Sequence, residues 1–239
     1  LILVRSIAIG SLLPVTDNLD RDLEIYEMLL GIDEESLAKR AFAANALSPK
    51  AFQEILPLSD PEKFFNGNRW QSGITEDDKL ELYRQALNTY SSYGQKAKLG
   101  NRPETIDQAW LYSHVWPTLN SHYSKFGVHA NSIQELIQQL GQLRFGRLPV
   151  GGDTFSGGGS IPYELGRIGY DVFASDLNPM ACMLSWGALN IIGADKFKRK
   201  ALQKKQLDVL SKVNLTIDNL GFDRNSFGNV AKAFLYCIE

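Results

Sequence analysis

Along most of the chain the apolar positions recur at helical spacing. Leu1 to Pro14 is an apolar run whose pattern fits a buried strand as well as a helix. From Asp17 to Lys39, Leu23, Tyr26, Leu29 and Leu30 line one side with acids on the other, which predicts an amphipathic helix. Helical patterning continues from Ala41 to Leu56, where Ser48-Pro49 marks a break or a new start. Pro57 to Gly73 reads as a connection, and Thr75 as the cap of a helix reaching Tyr93, with Asp77 and Asp78 in its first turn. Tyr83, Leu87, Tyr90 and Tyr93 form an aromatic-rich stripe; core packing is the expectation and base stacking the alternative. Lys96 to Pro103 reads as a mildly basic solvated loop. Thr105 to Tyr123 is helical until Pro117 disturbs the pattern. Asn131-Ser132 then caps a helix from Ile133 to Leu143, with Glu135 in its first turn.

The pattern changes after Phe145. Leu148 to Asp153 is a short strand, followed by a glycine-rich turn, a helix over Ile161–Gly169 and a second strand over Tyr170–Ala174 that closes on Ser175-Asp176. This is a βαβ half-unit of an open α/β sheet, a fold that binds ligands at the carboxyl ends of its strands. Gly157, Gly158 and Gly159 carry no Cβ, so the backbone there can take positive φ and approach a ligand closely. Asn178-Pro179, a cap and a first-turn proline, opens a helix running to about Ile192, which Gly193 ends. Beyond it the sequence predicts a helix ending over Lys212–Asn219, a turn at Gly221-Phe222-Asp223 and an apolar strand over Ala231–Ile238.

Spacing separates the ligands that a glycine turn can serve. A phosphate loop of the Walker A type needs Lys-Ser/Thr after its second glycine; Gly158-Gly159 follow Gly157 instead. The dinucleotide fingerprint needs a third glycine where Pro162 stands. What remains is Asp153-x-Phe155-x-Gly157-x-Gly159-Ser160, with Asp176 following 23 residues after Asp153. This arrangement resembles motifs I and II of class I S-adenosylmethionine-dependent methyltransferases. The phenylalanine form, DTFSGGGS, and the following SDLNP are similar to the subgroup that methylates exocyclic amino groups of DNA bases. The resemblance implies S-adenosyl-L-methionine as cofactor, held by Asp153, Phe155, Gly157, Gly158, Gly159, Ser160, Asp176, Leu177 and Asn178. Asp176 would accept the ribose hydroxyls, Leu177 would lie on the adenine face, and Asp153 would stand near the methionine end. A tight structural turn with a solvated aspartate is the plainer alternative.

The wider stretch DTFSGGGSIP…SDLNPMACML resembles adenine-specific DNA methylases with a zinc-ribbon insert, bacterial proteins often linked to phage-defence or restriction loci. The resemblance covers about Phe145 to Asp195 and the AKAFLYCIE ending, and does not extend over the first 130 residues. It implies an α/β fold: a Rossmann-like class I methyltransferase core over residues 131–239, preceded by a mainly helical N-terminal region over 1–130. Enzymes of that kind place an Asp/Asn/Ser-Pro-Pro-aromatic motif on the target amine. This chain has no Pro-Pro pair, so no catalytic residue is assigned in it and the motif is expected beyond Glu239. The expected function is DNA adenine methylation, with this chain supplying the cofactor-binding portion. The alternatives are an RNA or small-molecule methyltransferase and a non-catalytic interaction subunit that keeps the fold.

Composition narrows the partners. With 239 residues, 44% apolar and 22% charged, the chain has the make-up of an ordinary globular protein of one or two domains. A net charge of −2 gives no global nucleic-acid signature. Any DNA affinity must then come from a local patch such as Lys196, Lys198, Arg199, Lys200, Lys204 and Lys205. A solvated helix face is the bland reading of that run and a phosphate-tracking patch the other. The expected partners are DNA and other defence-system subunits, with no membrane. Two cysteines, Cys182 and Cys237, make no disulfide framework, so a reducing, cytoplasmic setting is expected. His114, His122 and His129 lack metal-ligand spacing and read as surface or capping residues. A start at Leu1 rather than methionine suggests part of a longer protein.

Overall fold

The computed structural model describes residues 2–193, 197, 198, 200, 201 and 203–205. The protein is mixed helix and sheet, with helix predominating and, among the described residues, two small two-stranded sheets. The described residues divide into two compact units: Ile9–Leu140, and residues 2–8 together with the described ones from Gly141.

In the unit of residues 9–140, the apolar opening resolves as helix α1 (Ile2–Leu12), which starts in the other unit. The single helix expected over Asp17–Lys39 is two, α2 (Leu19–Leu30) and α3 (Glu34–Ala43). The physical reason lies between them. Gly31 takes the left-handed conformation at φ 68° and its N–H closes onto the Glu27 and Met28 carbonyls, and Asp33 then caps the next helix through the Ser36 N–H. Ser48-Pro49 does open a new helix, α4 (Pro49–Ile55), with Ser48 as cap. The expected connection contains a tight antiparallel hairpin, β1 (Phe65–Asn66) with β2 (Arg69–Trp70). Thr75 and Asp78 form a reciprocal capping box at the start of α5 (Glu76–Asn88).

Tyr93 stands outside α5, at the start of α6 (Tyr93–Leu99), which Ser92 caps. The stripe therefore splits: Tyr83 and Leu87 are core, while Tyr93 is exposed. The expected Lys96–Pro103 loop begins as the end of α6, with Lys96 Nζ 3.0 Å from Glu34. Pro117 is tolerated because it falls in the first turn of α8 (Val115–His122), where an N–H is not needed; α7 (Gln108–Leu111) precedes it. The core here centres on Phe52, fully buried among the rings of Phe65, Trp70 and Tyr83, with the Tyr83 hydroxyl fixed at Leu47. Helix α9 (Ile133–Phe145) leads out of this unit.

The second unit contains the βαβ element expected from the sequence. Strand β3 (Val150–Asp153) pairs in parallel with β4 (Asp171–Ala174), joined by α10 (Ser160–Ile168); α11 (Pro179–Gly187) follows and widens into a π-helical turn over Ala188–Ile192. Helix α10 packs on one sheet face. A Cβ on Gly151 would come within 2.5 Å of Leu165, and Gly166 lies against Val172. On the strands, Val150 and Phe173 stay exposed. The buried Glu164 carboxylate binds Arg5 at 2.9 Å and Arg167 at 2.8 and 2.9 Å, and the Tyr170 hydroxyl donates to the Ala8 carbonyl. The first turns of α1 are thereby tied to this unit.

Among the described residues no helix is long and apolar enough to cross a membrane. The helix, turn and strand read after residue 205, with Cys237, lie outside the described residues.

Candidate functional site

The parallel register places Asp153 opposite Ala174, so the segments leaving β3 and β4 run side by side at the carboxyl end of the sheet. Backbone bonds hold them there: Ser175 N–H donates to the Asp153 carbonyl at 2.9 Å, and Ser156 N–H to the Ser175 carbonyl at 3.0 Å. The Asp153 side chain accepts from the Phe155 N–H at 3.1 Å, an Asx-type turn that starts the loop.

Asp176 holds the loop from the β4 side. One carboxylate oxygen accepts from the Gly157 N–H at 2.9 Å and the other from the Asn178 N–H at 2.8 Å. Backbone donors at Asn178, Gly157 and Leu177 hold this carboxyl below its ordinary value, outweighing the slight desolvation that opposes them. Asn178 in turn caps α11 through the Met180 N–H at 3.0 Å, with Pro179 in the first turn.

The three glycines differ in what they do. Gly157 and Gly159 take positive φ, 49° and 77°, a conformation that favours glycine. Gly157 and Gly158 face open space where a side chain would point, whereas a Cβ on Gly159 would lie 2.8 Å from Ser185 Oγ and 3.0 Å from its Cα. The outer side of the turn is thus open and its inner side is packed on α11. Gly159 precedes Ser160, the first residue of α10. Phe155 and Leu177 stand 77% and 90% exposed beside these turns.

The structure therefore joins Gly157, Asp176 and Asn178 directly, ties Asp153 to Phe155, and sets Gly159 and Ser160 at the entry to α10. Chemically, the assembly has unused capacity. The two Asp176 oxygens offer about four lone-pair directions between them and meet backbone donors at Asn178, Gly157 and Leu177, so the carboxylate can still accept a hydroxyl. Two residues that the sequence did not single out complete the loop. Ser156 and Ser185 are buried with their hydroxyls 3.1 Å apart, and Ser185 also reaches the Gly157 carbonyl at 3.3 Å. The available signal was a lone small polar residue between Leu184 and Trp186 in an otherwise apolar helix.

The other candidate groups behave differently. His114, at the N-cap position of α8, and His122 are half-buried and bonded to Asp33 at 2.9 Å and Asp22 at 2.7 Å, while His129 is exposed. Among the described residues no three His, Cys, Asp or Glu side chains converge on a metal position. Lys198, Lys200, Lys204 and Lys205 are exposed on helical residues, while Lys196 and Arg199 lie outside the described ones. No protein-family model, no curated protein and no solved structure matches the chain.

Proposed function

We propose that this chain binds S-adenosyl-L-methionine at the carboxyl end of β3 and β4 and is the cofactor-binding portion of a DNA adenine methyltransferase with a Rossmann-like core. The observation that carries the reading is the bond between Asp176 and the Gly157 N–H, which brings an acidic strand end and an open glycine turn into one site. Asp176 would hold the ribose hydroxyls, Leu177 would cover the adenine, and the turn from Asp153 through Ser160 would lie along the methionine end, with Asn178 fixing the start of α11. When bound, the cofactor supplies an electrophilic methyl group. The chain's own residues orient it and do nothing to the target amine.

An exocyclic amine becomes a nucleophile only where acceptors hold it near the sulfonium. With no Pro-Pro-aromatic motif in the sequence, those acceptors would come from outside this chain. The exposed lysines at 198–205 would add weak, salt-sensitive contact with DNA phosphates, too little to read a sequence. Other subunits of a defence system are the further partners this reading implies.

Calorimetric titration of the folded chain with S-adenosylmethionine tests the proposal. Wild-type protein is expected to bind, and Asp176→Ala to bind roughly 10-fold more weakly or worse, through loss of a charged acceptor. The chain alone is expected to transfer no tritiated methyl group to unmethylated DNA. Absence of cofactor binding by the folded wild type overturns the reading.

A further inference from the structure

The peptide groups of Gly157 are gripped from two elements at once. Its N–H donates to Asp176 beyond β4, and its carbonyl accepts from the Ser185 hydroxyl on α11 at 3.3 Å. Ser185 is only 3% exposed, and its Oγ lies 3.1 Å from that of Ser156, itself buried. A hydroxyl has one proton to give. If Ser185 spends its proton on the Gly157 carbonyl, it must accept from Ser156, and the two serines form a directed chain ending on the turn.

That chain has a geometric consequence. In a trans peptide the C=O and the following N–H point in opposite directions. Drawing the Gly157 carbonyl toward α11 therefore turns the Gly158 N–H away from α11. No atom lies within 4 Å of where a side chain on Gly158 would project, so a ligand can approach that residue from its Cβ side. Gly159 completes the fit, because any Cβ there would strike Ser185 and lift the turn off the helix.

We infer that Ser185 is a positioning residue that aims the Gly158 N–H at an acceptor on the amino-acid end of the bound cofactor, its carboxylate being the natural partner of a backbone donor. The inference rests on the cofactor reading above but assigns a separate role. Asp176 would serve the nucleoside part, and Ser185, through the turn, the methionyl part.

Two ligands separate these roles: S-adenosylmethionine, and 5′-methylthioadenosine, which keeps the nucleoside and lacks the amino-acid end. Ser185→Ala is expected to weaken S-adenosylmethionine about 10-fold while leaving methylthioadenosine within about 2-fold of wild type. Asp176→Ala is expected to weaken both. Ser156→Ala, which removes only the second hydroxyl of the chain, should give a smaller loss in the same direction and keeps the test open if Ser185→Ala does not fold. Equal loss of both ligands in the serine variants would mean that Ser185 acts through general stability, and no loss would mean that it does not aim the turn; either overturns the inference and leaves the cofactor reading standing. A wild-type protein that binds neither ligand overturns both.

Discussion

In residues 9–140 several charged side chains turn onto one another, whereas around the glycine turn polar and apolar groups face outward. Lys39 is buried and its ammonium reaches the Trp110 carbonyl at 3.0 Å, Ser113 Oγ at 2.9 Å and His114 Nδ1 at 3.3 Å. An ammonium only donates, so His114 Nδ1 accepts, and Nε2 carries the proton shared with Asp33. Arg84 is held by Glu35 through two bonds of 2.6 and 2.8 Å, and Asp22 by His122, Thr16 and Tyr123. These networks are turned inward and join helices, although among the described residues the buried Asp33 Oδ1 has no hydrogen-bond partner. The turn does the reverse: its backbone is fixed by Asp176 and Ser185, yet Phe155, Leu177 and the open side of Gly157 and Gly158 remain uncovered. A network turned inward between helices holds a fold, and one whose remaining acceptors face solvent can hold a ligand. That contrast, more than the presence of histidine or lysine, locates the site.

The contrast breaks most visibly under core truncation. Phe52→Ala removes a fully buried ring packed on Phe65, Trp70 and Tyr83 and should cost about 3–5 kcal/mol. Urea unfolding followed by tryptophan fluorescence measures the loss. Cofactor affinity, measured where the variant is still folded, should stay at the wild-type value. A parallel fall in affinity would show that the turn depends on the helical unit and is not independently built. Glu164→Ala removes the buried carboxylate that binds Arg5 and Arg167 and should cost a similar ~3–5 kcal/mol, but here affinity should fall too, since Glu164 lies in the helix that follows the turn.

The same contrast explains what the sequence disclosed. The turn was legible because its chemistry is local: Gly157, Gly159 and Asp176 occupy positions dictated by backbone geometry, and β3–α10–β4 followed from a change of hydrophobic period. The Thr75 cap and the Ser48-Pro49 start were equally local. Gly31 was passed over because apolar spacing runs straight through it, and only the left-handed φ shows that α2 stops there. Lys39, His114 and Asp33 could not be grouped, since contacts 75 and 81 residues apart leave no periodic trace. Ser185 was hidden for the same reason, lying 28 residues from the carbonyl it holds.

Acid should loosen both regions, to different extents. Burial pulls the Asp33 carboxyl upward, but hydrogen bonds from His114 and Ser36 hold it below its ordinary value. The Arg84 guanidinium holds Glu35 down against its own burial. A carboxyl whose folded value lies below its unfolded one stabilises the protein above the unfolded value and loses that contribution as pH falls through the folded one. Thermal midpoints should therefore drop as pH falls below about 4, and Asp33→Asn should flatten that dependence. Asp176→Asn should flatten it far less, because Asp176 is screened by solvent, but should remove the acid sensitivity of cofactor affinity. Identical pH profiles for the two variants would erase the distinction between inward-turned and solvent-facing carboxylates.

The smallest effect gives the sharpest comparison, because it matches stability and lets function differ. Thr75 and Asn178 are both N-caps, the first accepting from the Asp78 N–H at 3.1 Å and the second from the Met180 N–H at 3.0 Å. Both are exposed, and replacing either by alanine should cost about 1 kcal/mol of helix stability. Thr75 starts a helix whose buried face serves only the core of residues 9–140. Asn178 starts the helix that carries Ser185, and its own N–H is one of the backbone donors on Asp176. Loss of the Asn178 side chain keeps that N–H but loosens the turn of chain that presents it. Thr75→Ala should therefore leave S-adenosylmethionine affinity untouched, while Asn178→Ala should weaken it about 3-fold at equal thermal stability. If the two variants bind alike, the cap of α11 is structural only, and the pre-set geometry of the site must lie wholly within the glycine turn and its serine clamp.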